Sequence, residues 1–163
     1  RGIIIGAGRW NSYEELKNLQ LPEDDRMLIA TFHYYLPFEF THQGVTFLEN
    51  APPQGREFPK SDREVNEIRA HFAQVSQWSA KNRRPVYLGE FGVTQNAVQT
   101  DRTRWVQTIA ADASDRGFSM AYWEFCSQFG LWNPETRLWN TDMIRAIASP
   151  QPTELIRPGP SKK

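Results

Sequence analysis

The stretch Pro85-Val86-Tyr87-Leu88-Gly89-Glu90-Phe91-Gly92-Val93 reads as a short buried strand that carries one carboxylate, Glu90, to its carboxyl end. Val86, Tyr87 and Leu88 have the β-branched and aromatic character of a strand interior, Pro85 marks its start, and Gly89 and Gly92 let the backbone turn tightly around Glu90. A strand-end carboxylate among glycine and aromatic neighbours is where a barrel enzyme keeps a nucleophile. The same residue also suits a structural part, capping the next helix or pairing with an arginine, and this segment alone leaves both readings open.

Length and composition narrow the frame. A chain of 163 residues with 39% apolar and 13% aromatic content is one globular domain with ample material for a core. Nineteen basic and nineteen acidic residues cancel, which leaves no basic stripe for nucleic acid and no acidic tail. No apolar run approaches membrane-spanning length. Six Trp, five Tyr and ten Phe are many for this size, and flat aromatic faces suit the apolar faces of pyranose rings. The one cysteine, Cys126, excludes an internal disulfide and a cysteine-rich zinc site, and three scattered histidines make no metal cluster, so neither metal nor cofactor is expected. The chain opens on Arg1 and enters a strand almost at once, which reads as a processed or truncated piece.

Apolar runs alternate with helical patterns along the chain. Strands are expected at Gly2 to Ala7, Met27 to Phe32, the Glu90 segment and Phe118 to Phe125. Between them, Ser12-Tyr13-Glu14-Glu15 and Ser61-Asp62-Arg63-Glu64 read as capping boxes that open helices to about Gln20 and Asn82. Val65, Ile68, Phe72 and Val75 share one face of the second. Thr100-Asp101 caps a helix with Trp105, Ile109 and Ala113 inward, ending at Gly117 in a left-handed position, and Thr141 to Ala148 closes the fold. A loop over about 34 to 60, rich in Pro, Phe and Gly, is long enough to be functional or mobile. Residues 1–148 form the domain, and 149–163, with four prolines, reads as a flexible tail.

Strand and helix repeated about four times imply a parallel α/β sheet with right-handed crossovers. Polar and aromatic residues collect at the strands' carboxyl ends: Trp10 and Asn11, His33 and Tyr35, Glu90, and Trp123. That is the rim of a (βα)8 barrel or the crevice of an open sheet, and Gly6-Ala7-Gly8-Arg9-Trp10 lacks the last glycine of a dinucleotide loop. His33 and Trp123 each carry a core-packing reading beside the functional one. His42 lines a groove or decorates the loop, His71 sits mid-helix, and Glu124 points away from Trp123 if its strand stays regular.

Phe32-His33-Tyr34-Tyr35, Tyr87-Leu88-Gly89-Glu90-Phe91-Gly92 and Ala121-Tyr122-Trp123-Glu124-Phe125, in that order, resemble the sixth, seventh and eighth strand ends of a glycoside hydrolase family 5 endoglucanase. Ile3-Ile4-Ile5-Gly6 with Trp10-Asn11-Ser12 is similar to the fifth, and Phe38 to Gly44 resembles bacterial members. The resemblance implies a secreted cellulase acting on cellulose or other β-glucans by retaining hydrolysis. It implies Glu90 as nucleophile, His33 and Tyr35 ordering that carboxylate, Trp123 as stacking platform, and Trp10, Asn11 and His42 along the substrate groove. Mannan and xylan stay open as substrates.

One departure from the family pattern stands out. Retaining catalysis needs a second carboxyl about 5 to 5.5 Å from the first. The family supplies it in an Asn-Glu motif on an earlier strand, whereas here Asn66-Glu67 falls mid-helix and Asn133-Pro134-Glu135 in a loop. The chain thus resembles the carboxyl-terminal half of the enzyme, a half-barrel of four βα units with nucleophile and no acid/base, expected to be inactive alone. An inner face of Ile, Leu, Met and aromatic side chains left wet would forfeit on the order of 10 kcal/mol at about 25 cal/mol per Å². A homodimer closing an eight-stranded barrel, or the missing amino-terminal half, is the expected partner. A non-catalytic half-barrel that self-assembles and binds glucan is the alternative.

Overall fold

The computed structural model describes residues 1–150, so the expected tail lies, beyond Pro150, outside the described residues. Four strands, β1 (Ile3–Gly6), β2 (Leu28–Tyr34), β3 (Val86–Phe91) and β4 (Ser119–Tyr122), form one parallel sheet in sequence order. A 3-10 helix, Tyr13–Asn18, joins the first two, and helices α1 (Phe38–Thr41), α2 (Asp62–Asn82), α3 (Gln99–Asp115) and α4 (Thr141–Ala148) follow in order. A two-stranded antiparallel hairpin, β5 (Trp132–Asn133) with β6 (Leu138–Trp139), sits between β4 and α4 and was not expected from the sequence.

One face of the sheet makes the core. Ala30, Phe32 and Tyr34 of β2 and Val86, Leu88 and Phe91 of β3 pack against Val65, Ile68, Phe72 and Val75 of α2 and Trp105 and Ile109 of α3. Phe72 lies edge-on to Phe32 at 5.5 Å and to Tyr34 at 5.1 Å, the aromatic arrangement favoured by ring quadrupoles. Trp105 satisfies its indole by donating to Leu36 O at 3.0 Å.

The opposite face differs from expectation. Register pairs Leu88 with Met120 and Ile4 with Ile29, which puts leucine and methionine on the helix side and leaves the inner face to Ile4, Ile29, Thr31, Tyr87, Ser119 and Ala121. Thr31 donates to Tyr87 O at 3.0 Å across that face. The inner face therefore keeps the expected Ile and aromatic residues in Ile4, Ile29 and Tyr87 but mixes them with Thr31, Ser119 and Ala121 in place of Leu and Met.

The strand ends carry the second difference. The β2–β3 register shifts between Phe32 and His33, so Phe32 faces Leu88 but His33 faces Glu90, and the β3–β4 register shifts across the same place. Gly89 is the extra residue of a β-bulge. In a regular strand Glu90 would follow Leu88 into the core; the bulge turns Glu90 to the inner face and returns Phe91, fully buried, to the core.

Several local expectations are corrected. Neither Ser12 nor Ser61 makes a side-chain cap, and the first helical segment is 3-10. Glu64 reaches Lys60 N and Arg56 instead. α3 begins one residue before Thr100 with Val98 as its cap, and Asp101 accepts from Phe58 N, tying the long loop down. That loop contains α1 and is pinned by buried Gln43, whose amide bonds Phe40 O, Arg56 O, Gly55 N and Arg56 N. Gly117 does take a left-handed conformation, φ 70°. β4 stops at Tyr122: Glu124 bends the chain by accepting from the backbone N–H groups of Cys126, Ser127 and Phe129.

The bulge has no room for a methyl at Gly89, where a Cβ would stand 2.5 Å from Thr31 Oγ1 and 3.3 Å from His33 Nε2. Gly89→Ala is expected to cost about 1–3 kcal/mol, read as a lower urea midpoint at unchanged slope.

Candidate active site

A cleft of about 710 Å³ opens at the carboxyl ends of the strands, and Trp10, Asn11, His33, Tyr35, His42, Glu90 and Trp123 all line it. Residues scattered over 114 positions thus meet at one rim because parallel strands present their carboxyl ends together.

Glu90 is the centre. Tyr35 donates to Glu90 Oε2 at 3.0 Å, and His33 Nδ1 lies 3.4 Å from the same oxygen. Asn11 Nδ2 donates to His33 Nε2 at 3.1 Å, which leaves Nδ1 as the protonated nitrogen facing the carboxylate. Both donors converge on one oxygen, so the other is free of them. Burial, with Glu90 adding to it, pushes the Tyr35 phenol well above its ordinary range and keeps it a donor. Burial lowers His33 against the opposing pull of Glu90, which favours the neutral ring.

The flanks are aromatic. Trp123 is exposed on the cleft wall just past β4, and Trp10, 89% exposed, stands on a turn in which Arg9, Trp10 and Asn11 all have φ between 51° and 60°. His42 is more buried than a groove contact needs: it is 8% exposed, stacks on Phe38 at 4.1 Å and meets Tyr35 edge-on at 5.0 Å. Its Nδ1 lies 2.9 Å from Thr41 Oγ1, and Thr41 donates to Tyr35 O at 2.6 Å, so His42 buttresses Tyr35 from below. Sequence reading missed Phe38, Phe47 and Phe129, which line the same cleft. The aromatic richness of the 34–60 loop was the available signal.

Glu124 takes no part in the cleft's polar centre, since its carboxylate is spent on the turn after β4. His71 is a structural contact, bonded to Tyr34 Oη at 2.9 Å and stacked on Tyr13.

Residues 1–129 match the cellulase model, glycosyl hydrolase family 5. The chain belongs to this family. Endoglucanase H of Acetivibrio thermocellus is 35% identical over 156 residues, which cover 92% of this chain and 16% of that protein. A hyperthermophilic endo-beta-1,4-glucanase solved with substrate superposes with TM-score 0.86 at 41% identity, covering 90% of this chain and 47% of the other. Cel5A of Thermotoga maritima in complex with mannotriose gives TM-score 0.85 at 37% identity, covering 90% of this chain and 48% of the other. The chain spans about half the length of these solved relatives, so the four-stranded sheet is half of a family 5 TIM barrel.

The buried imidazole makes the site acid-sensitive. Burial lowers His42 to about 4 from 6.5, so the unfolded chain binds its proton first as pH falls. This contribution to stability is complete above about pH 6.5 and is lost progressively toward pH 4, up to about 3 kcal/mol in all. His33 and His71, also lowered, act in the same direction. Urea unfolding between pH 7 and 4.5 is expected to show this loss, and His42→Gln to flatten it.

Proposed function

We propose that this chain carries the nucleophile half of a retaining endo-β-1,4-glucanase site, with Glu90 attacking the anomeric carbon of a β-glucan. The observation that carries the reading is the convergence of Tyr35 and His33 on Glu90 Oε2. Two donors on one oxygen fix the carboxylate's orientation. In the reaction the anomeric C–O bond to the leaving sugar breaks as the ester to Glu90 forms, and water later cleaves that ester. Trp123 offers a ring face to the sugar at the cleaved bond, with Trp10 and Asn11 toward the first strand and His42 beneath Tyr35.

The leaving oxygen needs a proton, and the acid that gives it belongs to the rest of the barrel. Besides Glu90, the carboxylate lining the cleft among the described residues is Glu14, which pairs with Arg9 at 3.9 Å. Glu67 pairs with Arg63 on the outer helix, and Glu135 sits in the β5–β6 turn. The isolated chain is accordingly inactive on polymer. An insoluble polymer has to be degraded outside the cell, so the parent enzyme is secreted. Mannan is a second substrate, favoured by the mannotriose complex of the Thermotoga relative.

Two experiments test this. Reducing-end release from carboxymethylcellulose is expected at background, since general-acid help is worth about 10² to 10⁴-fold. A dinitrophenyl 2-deoxy-2-fluoro-β-cellobioside needs no such help, and is expected to label the peptide bearing Glu90 and to leave Glu90→Gln unlabelled. Labelling that survives Glu90→Gln would remove Glu90 as nucleophile; strong polymer hydrolysis lost in that variant would show an acid within the chain.

The outer edges of β1 and β4 are unpaired among the described residues. We read them as the seams to the complementary half-barrel, which a second copy of this chain occupies when it is alone. Light scattering after gel filtration is expected to give twice the chain's mass at micromolar concentration, and a stable monomer would overturn that closure.

A further inference from the structure

Three consecutive residues after β1, Arg9, Trp10 and Asn11, hold a left-handed backbone, with φ between 51° and 60°. Asparagine enters that region readily, but arginine and tryptophan do not, so the turn is imposed by what surrounds it. Ser12 N donates to Arg9 O at 3.1 Å, and Ser12 forms an isolated parallel bridge with His33 of β2. Gly6 clears the space beneath, since a methyl there would overlap the Asn11 amide. Asn11 lines the cleft, and its amide reaches inward from β1 to β2, where Nδ2 lies 3.1 Å from His33 Nε2.

An amide nitrogen donates and does not accept, so His33 Nε2 is the accepting nitrogen of a neutral ring. The ring's one proton is then on Nδ1, 3.4 Å from Glu90 Oε2. The other tautomer would turn a lone pair on Nδ1 toward the carboxylate. A doubly protonated ring would press its Nε2 hydrogen against the hydrogens of the amide. Among the charged groups around His33, Glu90 is the one whose charge bears on the ring, and Tyr35 shares its oxygen. Arg9, Glu14 and Glu15, on the turn and the 3-10 helix, pair with one another at 3.9 and 3.8 Å.

We propose that Asn11 is a positioning residue of the reaction, holding His33 neutral with its proton on Nδ1 so that Glu90 meets a neutral donor and not a cation. The role rests on the reading of Glu90 as nucleophile. A carboxylate paired with an imidazolium is a weaker nucleophile than one that accepts from a neutral N–H. The left-handed turn, the space over Gly6 and the amide together select one of the three states open to the ring.

Nitrogen-15 spectra of the three histidine rings, with His33 identified through His33→Gln, test this beside the pH dependence of Glu90 labelling by the activated cellobioside. At neutral pH the wild-type His33 is expected as the Nδ1–H tautomer. Asn11→Gly keeps the left-handed turn and removes the amide, so the ring is expected to become a mixture of tautomers and labelling to slow about fivefold, the factor of one hydrogen bond. Asn11→Asp keeps the shape but accepts where the amide donated, which favours the charged ring. Its His33 is expected doubly protonated at neutral pH, with labelling slowed more than about tenfold and the acid limb moved to higher pH. Gly6→Ala displaces the amide with Asn11 in place and is expected to change the ring as Asn11→Gly does. A wild-type ring that is Nε2–H or doubly protonated at neutral pH would overturn the proposal. Labelling rates unchanged in both Asn11 variants would do the same, as would slower labelling with ring state and pH profile unchanged, which would make Asn11 a sugar contact. Labelling of Glu90 with a ring indifferent to Asn11 would sink the positioning role alone. Absence of labelling, with the ring still answering to Asn11, would sink the nucleophile reading.

Discussion

The bulge at Gly89–Glu90 is the constraint on which the site depends. A strand alternates faces, so one extra residue is enough to exchange core for cleft. With it, Leu88 and Phe91 both enter the core while Gly89 and Glu90 share the inner side, and His33 comes opposite Glu90. With the same residues in a regular, unbulged strand the carboxylate would follow Leu88 toward Phe72 and Trp105, where an unpaired charge is prohibitive. Glycine is the residue that lets His33 and Thr31 close over the bulge.

From that point the support spreads through loops. Asn11 holds His33, and Thr41 and His42 hold Tyr35. Thr41 O accepts from Thr94 N, and Asn96 Nδ2 donates to Gly44 O, which ties the loop after β2 to the loop after β3. Gln128 adds the loop after β4: its side chain bonds Thr46 N and Thr46 Oγ1, both at 2.8 Å, and its carbonyl accepts from Gln95 N. Three loops are thereby cross-linked around the cleft, and the long 34–60 segment is a structured wall.

The two faces of the sheet divide the work. The helix face is aromatic and closed, and it holds the buried core. The inner face is mixed, with Thr31, Tyr87 and Ser119 beside Ile4 and Ile29 among the strand residues.

Much of this was legible in the chain itself. Periodicity gave the four strands and the long helices, since burial on one face imposes a repeat that any window reveals. Short motifs gave the family, and with it Glu90, His33, Tyr35 and Trp123, because the residues are contiguous with their strands. The capping boxes at Ser12 and Ser61 were misread: the segment after Ser12 is a 3-10 helix, and after Ser61 the Glu64 carboxylate is held by Arg56 and Lys60 N in the preceding loop. The bulge, the mixed inner face, the turn organised by Glu124 and the burial of His42 belonged to tertiary structure alone. The bulge and the inner face are matters of register, and the Glu124 turn and the burial of His42 depend on how side chains fold back on their surroundings, none of which leaves a trace in a periodic pattern. The sequence by itself determined which residues were able to do chemistry; the pairing of strands decided which of them face one another.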